Sequence, residues 1–138
     1  MRDMGTPHKR MQELCDCYAE TDLLKEMAMI HSDIDKDEAA LKWLALAVLH
    51  GVDRNAKRIS LERAPDGGVR VSAEYKETDL PTPGKEIGGK VVEAARQITH
   101  IEEKKGEIPL AIGIRDSSIE IRVKVKREGA SEKVTLEF

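Results

Sequence analysis

The string GKEIGGKV at residues 84–91 is the stretch whose residue types and spacing come nearest to phosphate chemistry. It follows the pattern G-x-x-x-x-G-K, in which backbone amides of a glycine-rich loop cradle phosphates and the lysine reaches them. Val91 stands where that loop needs Ser or Thr to hold magnesium. The polar segment KETDLPTPG precedes it, where a buried apolar strand belongs. LAIGIRD at 110–116 offers a downstream acid in Asp116, but a turn explains that residue equally well. What remains is a glycine-rich opening of a helix, whose amides and positive dipole end attract an anion. Gly84, Gly88, Gly89 and Lys90 are therefore the candidate ligand-binding residues.

Other reactive side chains do not assemble by spacing. Cys15 and Cys17 sit among helix formers, and helix positions two apart point in different directions, so they read as helix-face residues with no disulfide between them. Two thiols, with His8 and His31 distant in sequence, do not make a tetrahedral zinc set, and no metal site is expected. His50 and His100 fall near helix ends, where a partial positive charge is favourable. Acid pairs such as Asp35, Asp37 and Glu38, or Glu102 and Glu103, lie in polar runs and read as solvated faces. No nucleophile has a base at a recognisable spacing. The expectation is no catalytic residue, no enzyme and no cofactor. KVKRE at 124–128 places basic side chains on the wet face of a strand, serving either to guide an acidic partner or to keep a strand edge soluble.

The elements that must carry these residues follow from periodicity. Residues 8–32 read as a helical arm with Met11, Leu14, Tyr18, Leu24 and Met27 on one stripe, broken near 20–22, where Thr21 is placed to cap a second short helix. Asp35 and Glu38 have the spacing of an N-cap and its reciprocal partner, opening a helix over about 38–49 that Gly51 is placed to stop. Ile59 and Leu61 alternate with polar residues, as do Val69, Val71, Ala73 and Tyr75, and APDGG between them is a turn, so the pair forms a hairpin. A loop with Pro81 and Pro83 leads to a helix over about 86–104. Leu110 to Ile114, Ile119 to Val125 and Val134 to Phe138 then alternate, separated by RDSS and REGASE turns, as a three-strand meander. The fold class is α+β: about five strands, largely antiparallel, with one face wet and the other covered by two helices. The domains are an arm at 1–34 and an α+β unit at 35–138.

Composition bounds the partners. Only 3% of the 138 residues are aromatic, which leaves few rings for stacking nucleobases. Charged residues make up 36% with a net charge of −3, a mixed surface and not a basic nucleic-acid footprint. No apolar run approaches the ~20 residues of a membrane span. The N-terminal MRDMGTPHKR lacks the apolar segment of a signal peptide, so a cytoplasmic location is expected.

Residues 39–138 carry motifs in a familiar order. AKRISLE (56–62) keeps Ile59 and Glu62 of a pattern A-S-D-I-H-I-E; VRVSAEY (69–75) keeps Val69 and Arg70 of V-R-Y-R-I-D-G. EIRVK (120–124) keeps Arg122 of D-L-R-V-S, and SEKVTLEF (131–138) keeps Glu132 and Lys133 of G-E-K-V-V-L-R. In that order the chain resembles the second N-terminal domain of type II secretion and type IV pilus assembly ATPases. Arg58 and Ser60 replace the Asp and His of the first motif, Ser72 replaces the second arginine of the next, and KGEIP (105–109) replaces P-Q-D-G-R. The family's arginines here approach nucleotide held by the ATPase domain, and of these the resemblance carries over only Arg70. The family's ATPase domain comes after this module, so ending at Phe138 implies a module without its motor. The resemblance implies a noncatalytic interaction or assembly module whose partner is a secretion or pilus component or another copy of itself. A small-ligand or nucleotide-sensing domain is the alternative.

Overall fold

The strands are two-faced because apolar and polar residues alternate along them, and pairing in register sums those faces into a sheet. The computed structural model describes residues 7–18, 22–30, 35–74, 78–79, 83–114 and 117–138. Thr21, Ser32, the boundary at 34, Tyr75, Pro81 and Asp116 lie outside the described residues. The strands are β1 (Arg58–Arg63), β2 (Val69–Ala73), β3 (Thr78–Asp79), β4 (Lys105–Ile114), β5 (Ser117–Glu128) and β6 (Ser131–Glu137). Their order is β3-β2-β1-β6-β5-β4, every neighbour antiparallel. The hairpin and meander expected from alternation are both present. The last strand inserts between β1 and β5, with Leu61 opposite Val134 and Val134 opposite Val125, which joins the two into one sheet. Ile59, Leu61, Val71, Ile121, Val123, Val125, Val134 and Leu136 are buried on the same face.

The β3 strand falls in the segment expected as loop; two residues pair with Ser72 and Ala73 and close that edge. The other edge, β4, is blunted twice. Pro109, which has no N–H to donate, is exposed on this edge strand opposite Arg122. The Gln12 side chain bonds Gly113 like a strand residue, accepting from its N–H at 2.7 Å and donating to its carbonyl at 2.6 Å.

Among the described residues the helices on the apolar side are α1 (Pro7–Tyr18), α2 (Leu23–Met29), α3 (Lys36–Arg54) and α4 (Lys85–Thr99), with α2 resting on α3. Met11, Leu14, Cys15, Leu23, Met27 and Ile30 join the same apolar cluster as the sheet and α3, so the N-terminal helices share the domain's core. Asp22 caps α2 by accepting from the Lys25 N–H at 3.2 Å. Asp35 caps α3 by accepting from the Glu38 N–H at 3.1 Å, as its spacing indicates. The α3 helix is longer than expected. Gly51 does not stop it; Asn55 does, in the left-handed conformation at φ 55°, with Ala56 N–H bonded to the Gly51 carbonyl at 2.9 Å. Gly51 is buried because the Phe138 ring lies where its side chain would be: an added Cβ would sit 2.2 Å from Phe138 Cζ. In α4, Gly88 plays the same part, with Val69 Cγ2 at 2.4 Å from an added Cβ. The α4 helix ends at Thr99, not near 104, and His100 turns the chain at φ 59°. Arg96 stabilises that early exit by donating to the Ile101, Glu103 and Lys104 carbonyls.

These close approaches give a sign test. Alanine is about 1 kcal/mol better than glycine in an ordinary helix. Overpacking costs typically 1–3 kcal/mol. Gly51→Ala and Gly88→Ala are expected to destabilise by up to about 2 kcal/mol in urea unfolding. Combining Gly51→Ala with Phe138→Ala is expected to cost clearly less than the sum of the two. Stabilisation by either alanine contradicts the packing described.

Candidate functional site

The sheet face away from the helices carries the even-numbered residues of β1, β2 and β5 and the odd-numbered residues of β4 and β6. Register stacks them into rows across the strands. One row alternates in sign: Glu74, Arg58, Glu137, Arg122. Arg58 Nε lies 2.8 Å from Glu74 and its Nη2 3.9 Å from Glu137. Lys124, one row over, donates to Glu137 at 2.9 Å and holds its carboxyl below the ordinary range. Arg122 pairs with Glu107 at 3.3 Å. The middle row holds hydroxyls: Ser60 Oγ and Thr135 Oγ1 are 3.3 Å apart, and Thr135 is 9% exposed although it lies on the wet side.

The third row begins with alternation, Arg70 opposite Glu62 opposite Lys133, and then stops alternating: Lys133 is opposite Lys126, and Lys126 opposite Lys105. Like charges directly opposed across strands are destabilising. Lys126 pairs with Glu128 at 2.8 Å, which raises the lysine's affinity for its proton and lowers the carboxyl's. Lys133 forms no ion pair among the described residues. A groove of about 510 Å³ runs over this region, with Ser60 and Thr135 along it, Arg58, Lys105, Lys124, Lys126 and Lys133 as its cations, and Glu107 and Glu137 as its acids. Its chemistry is electrostatic, with hydroxyls beside it to complete hydrogen bonds.

Of the residues singled out from sequence, Glu62, Arg70, Arg122 and Lys133 share this open face, and Lys133 lines the groove. Glu132 points to the other side, 3.2 Å from Arg63. Nothing local in the sequence marks Arg58 and Lys105 as site residues, since only the strand register brings residues 58, 105, 126 and 133 together; the basic run KVKRE is the one local signal.

The Gly84–Lys90 stretch opens and forms the first turns of α4. Gly84, at φ 93°, precedes α4, and Gly88, Gly89 and Lys90 lie inside the helix. The Gly88 N–H donates to the Gly84 carbonyl at 2.8 Å and is not turned outward to a phosphate. Lys90 is bound to Asp37 at 3.3 Å, with Glu93 at 3.9 Å, and that hydrogen bond raises its pKa. The cleft beside it is lined by Asp35, Asp37, Glu38 and Glu93, the wrong sign for an anion. Cys15 is buried with Sγ 3.9 Å from the Ala45 carbonyl, and burial pushes its thiol up to about 12, whereas Cys17 is exposed. Among the described residues, no three His, Cys, Asp or Glu side chains converge as metal ligands, and no helix is long and apolar enough to cross a membrane.

No protein-family model and no curated protein matches this chain.

His50 is 2% exposed on α3, and burial, helped by Arg54 and opposed by Asp53, lowers its pKa below the ordinary 6.5. The unfolded chain therefore binds a proton at higher pH than the folded one. The stability tied to a neutral His50 is complete above pH 6.5 and is lost as pH falls from there towards the folded value. The urea midpoint is expected to drop between neutrality and about pH 5.5, and His50→Gln to flatten that drop. An equally steep fall in the variant contradicts this assignment.

Proposed function

We propose that the chain is a noncatalytic interaction or assembly module, the role implied by its resemblance to the second N-terminal domain of secretion and pilus ATPases. The observation that carries the reading is the open sheet face. Helices absorb the apolar side of the sheet, while the other side presents an ordered grid of charges and hydroxyls drawn from β1, β2, β4, β5 and β6. Such a face offers many paired polar contacts on a rigid support, which favours recognition of a complementary surface over chemistry on a small substrate. The order helix, hairpin, helix, meander, on which the resemblance rests, supports the same reading. The natural partners under it are a component of a secretion or pilus-type motor, or a second copy of the chain, in the cytoplasm.

Native mass spectrometry and light scattering on the protein recovered from its source cell test this reading. The expected result is a defined complex, hetero- or homo-oligomeric. Recovery of monomer alone, at every concentration and ionic strength tried, contradicts it.

A further inference from the structure

Building on that interaction reading, we propose that the groove over Lys105, Lys126 and Lys133 docks an acidic, extended peptide segment of a partner protein. The face around the groove shows how this sheet handles charge: Glu74, Arg58, Glu137 and Arg122 alternate, as do Arg70, Glu62 and Lys133. The run Lys133, Lys126, Lys105 breaks that rule at two successive cross-strand pairs. A fold that places like charges opposite each other bears a cost that an anion removes, and local conflicts of this kind mark functional sites. The acids near the run are shared: Glu62 stands opposite Lys133 and also opposite Arg70, and Glu128 binds Lys126 at 2.8 Å while also feeling the charge of Lys105.

Spacing and composition identify the anion. Neighbouring strands lie about 4.8 Å apart, so the lysine row spans roughly 10 Å across three strands. An extended peptide presents side chains on one face about every 6.8 Å, which puts two carboxylates over the row. Ser60 and Thr135 beside the row supply hydroxyls for its backbone. Nucleic acid fits less well. Among the described residues no aromatic ring lies on this face for a base to stack on: Trp43 is buried in α3, Tyr18 lies under Lys42, and Phe138 packs on Gly51. The net charge of −3 also opposes long-range attraction of a nucleic acid.

Fluorescence anisotropy with a labelled oligoglutamate peptide, at low ionic strength, tests the assignment. Saturable binding is expected, with the double variant Lys126→Gln/Lys133→Gln weakened about fivefold to tenfold and Lys25→Gln, on the helical side, unchanged. The peptide should raise the melting temperature of the wild type but not of the double variant, a readout independent of the label. Absence of saturable binding overturns the proposal, as does equal binding by the double variant. Tighter binding of an oligothymidylate of the same charge assigns the groove to nucleic acid. Self-association that the double variant abolishes, without peptide binding, assigns it to a second copy. Both also overturn the proposal. A protein that forms its complex by native mass spectrometry yet ignores the peptide overturns this inference alone and leaves the interaction reading standing.

Discussion

Burial of the sheet's one apolar face sets the position of nearly everything else in the molecule. Ile59, Leu61, Val123, Val134 and Leu136 must leave water together, because register fixes them on a single side. The α4 helix lies directly on that side, and Gly88 lets it approach Val69 closely enough to exclude solvent. The α3 helix packs against α1, α2, α4 and β1 and is buried at every residue from 43 to 51. A helix apolar all round is stable only inside a layer of other elements. That requirement draws α1 and α2 into the core, where Met11, Leu14 and Met27 complete its cover. Phe138 pins the end of the last strand's chain to the same helix through Gly51.

Because the helices are committed to one face, the other is left to water. Exposed ion pairs contribute little to stability one at a time. Their arrangement matters instead through the potential they create. Alternating pairs cancel over most of the face, so the unbalanced lysine row dominates the local field there. The overall negative charge sits elsewhere, in part around the α3 and α4 cleft lined by Asp35, Asp37, Glu38 and Glu93. The groove on the strands and the cleft between α3 and α4 thus carry local charge of opposite sign.

Much of this fold is legible in the sequence because its signals are local. Strand alternation, the APDGG turn and the Asp35 cap each depend on neighbours a few residues away, and each forms as expected. The features that differ from expectation depend on contacts that residue pattern does not encode. Gly51 has the look of a helix stop, and only Phe138, far along the chain, explains why a glycine is needed mid-helix. Ile101 continues the apolar period of α4, yet Arg96 and Thr99 close that helix earlier through backbone carbonyls that no pattern reveals. Gly88 fits a phosphate-loop pattern because close helix packing and phosphate cradling both call for a missing side chain, whereas Gly84 is there for its backbone, at φ 93°. The groove is the least legible part, since its cations come from β1, β4, β5 and β6 and meet only through register.

The central claim is that the open sheet face is the surface the protein uses. Lysine acetylation footprinting by mass spectrometry, on the free protein and on the complex recovered from its source cell, tests it most directly. The predicted result is that Lys105, Lys126 and Lys133 react in the free protein and are shielded in the complex, while Lys25 and Lys36 react equally in both. Shielding of the helical lysines with the groove lysines unchanged contradicts it.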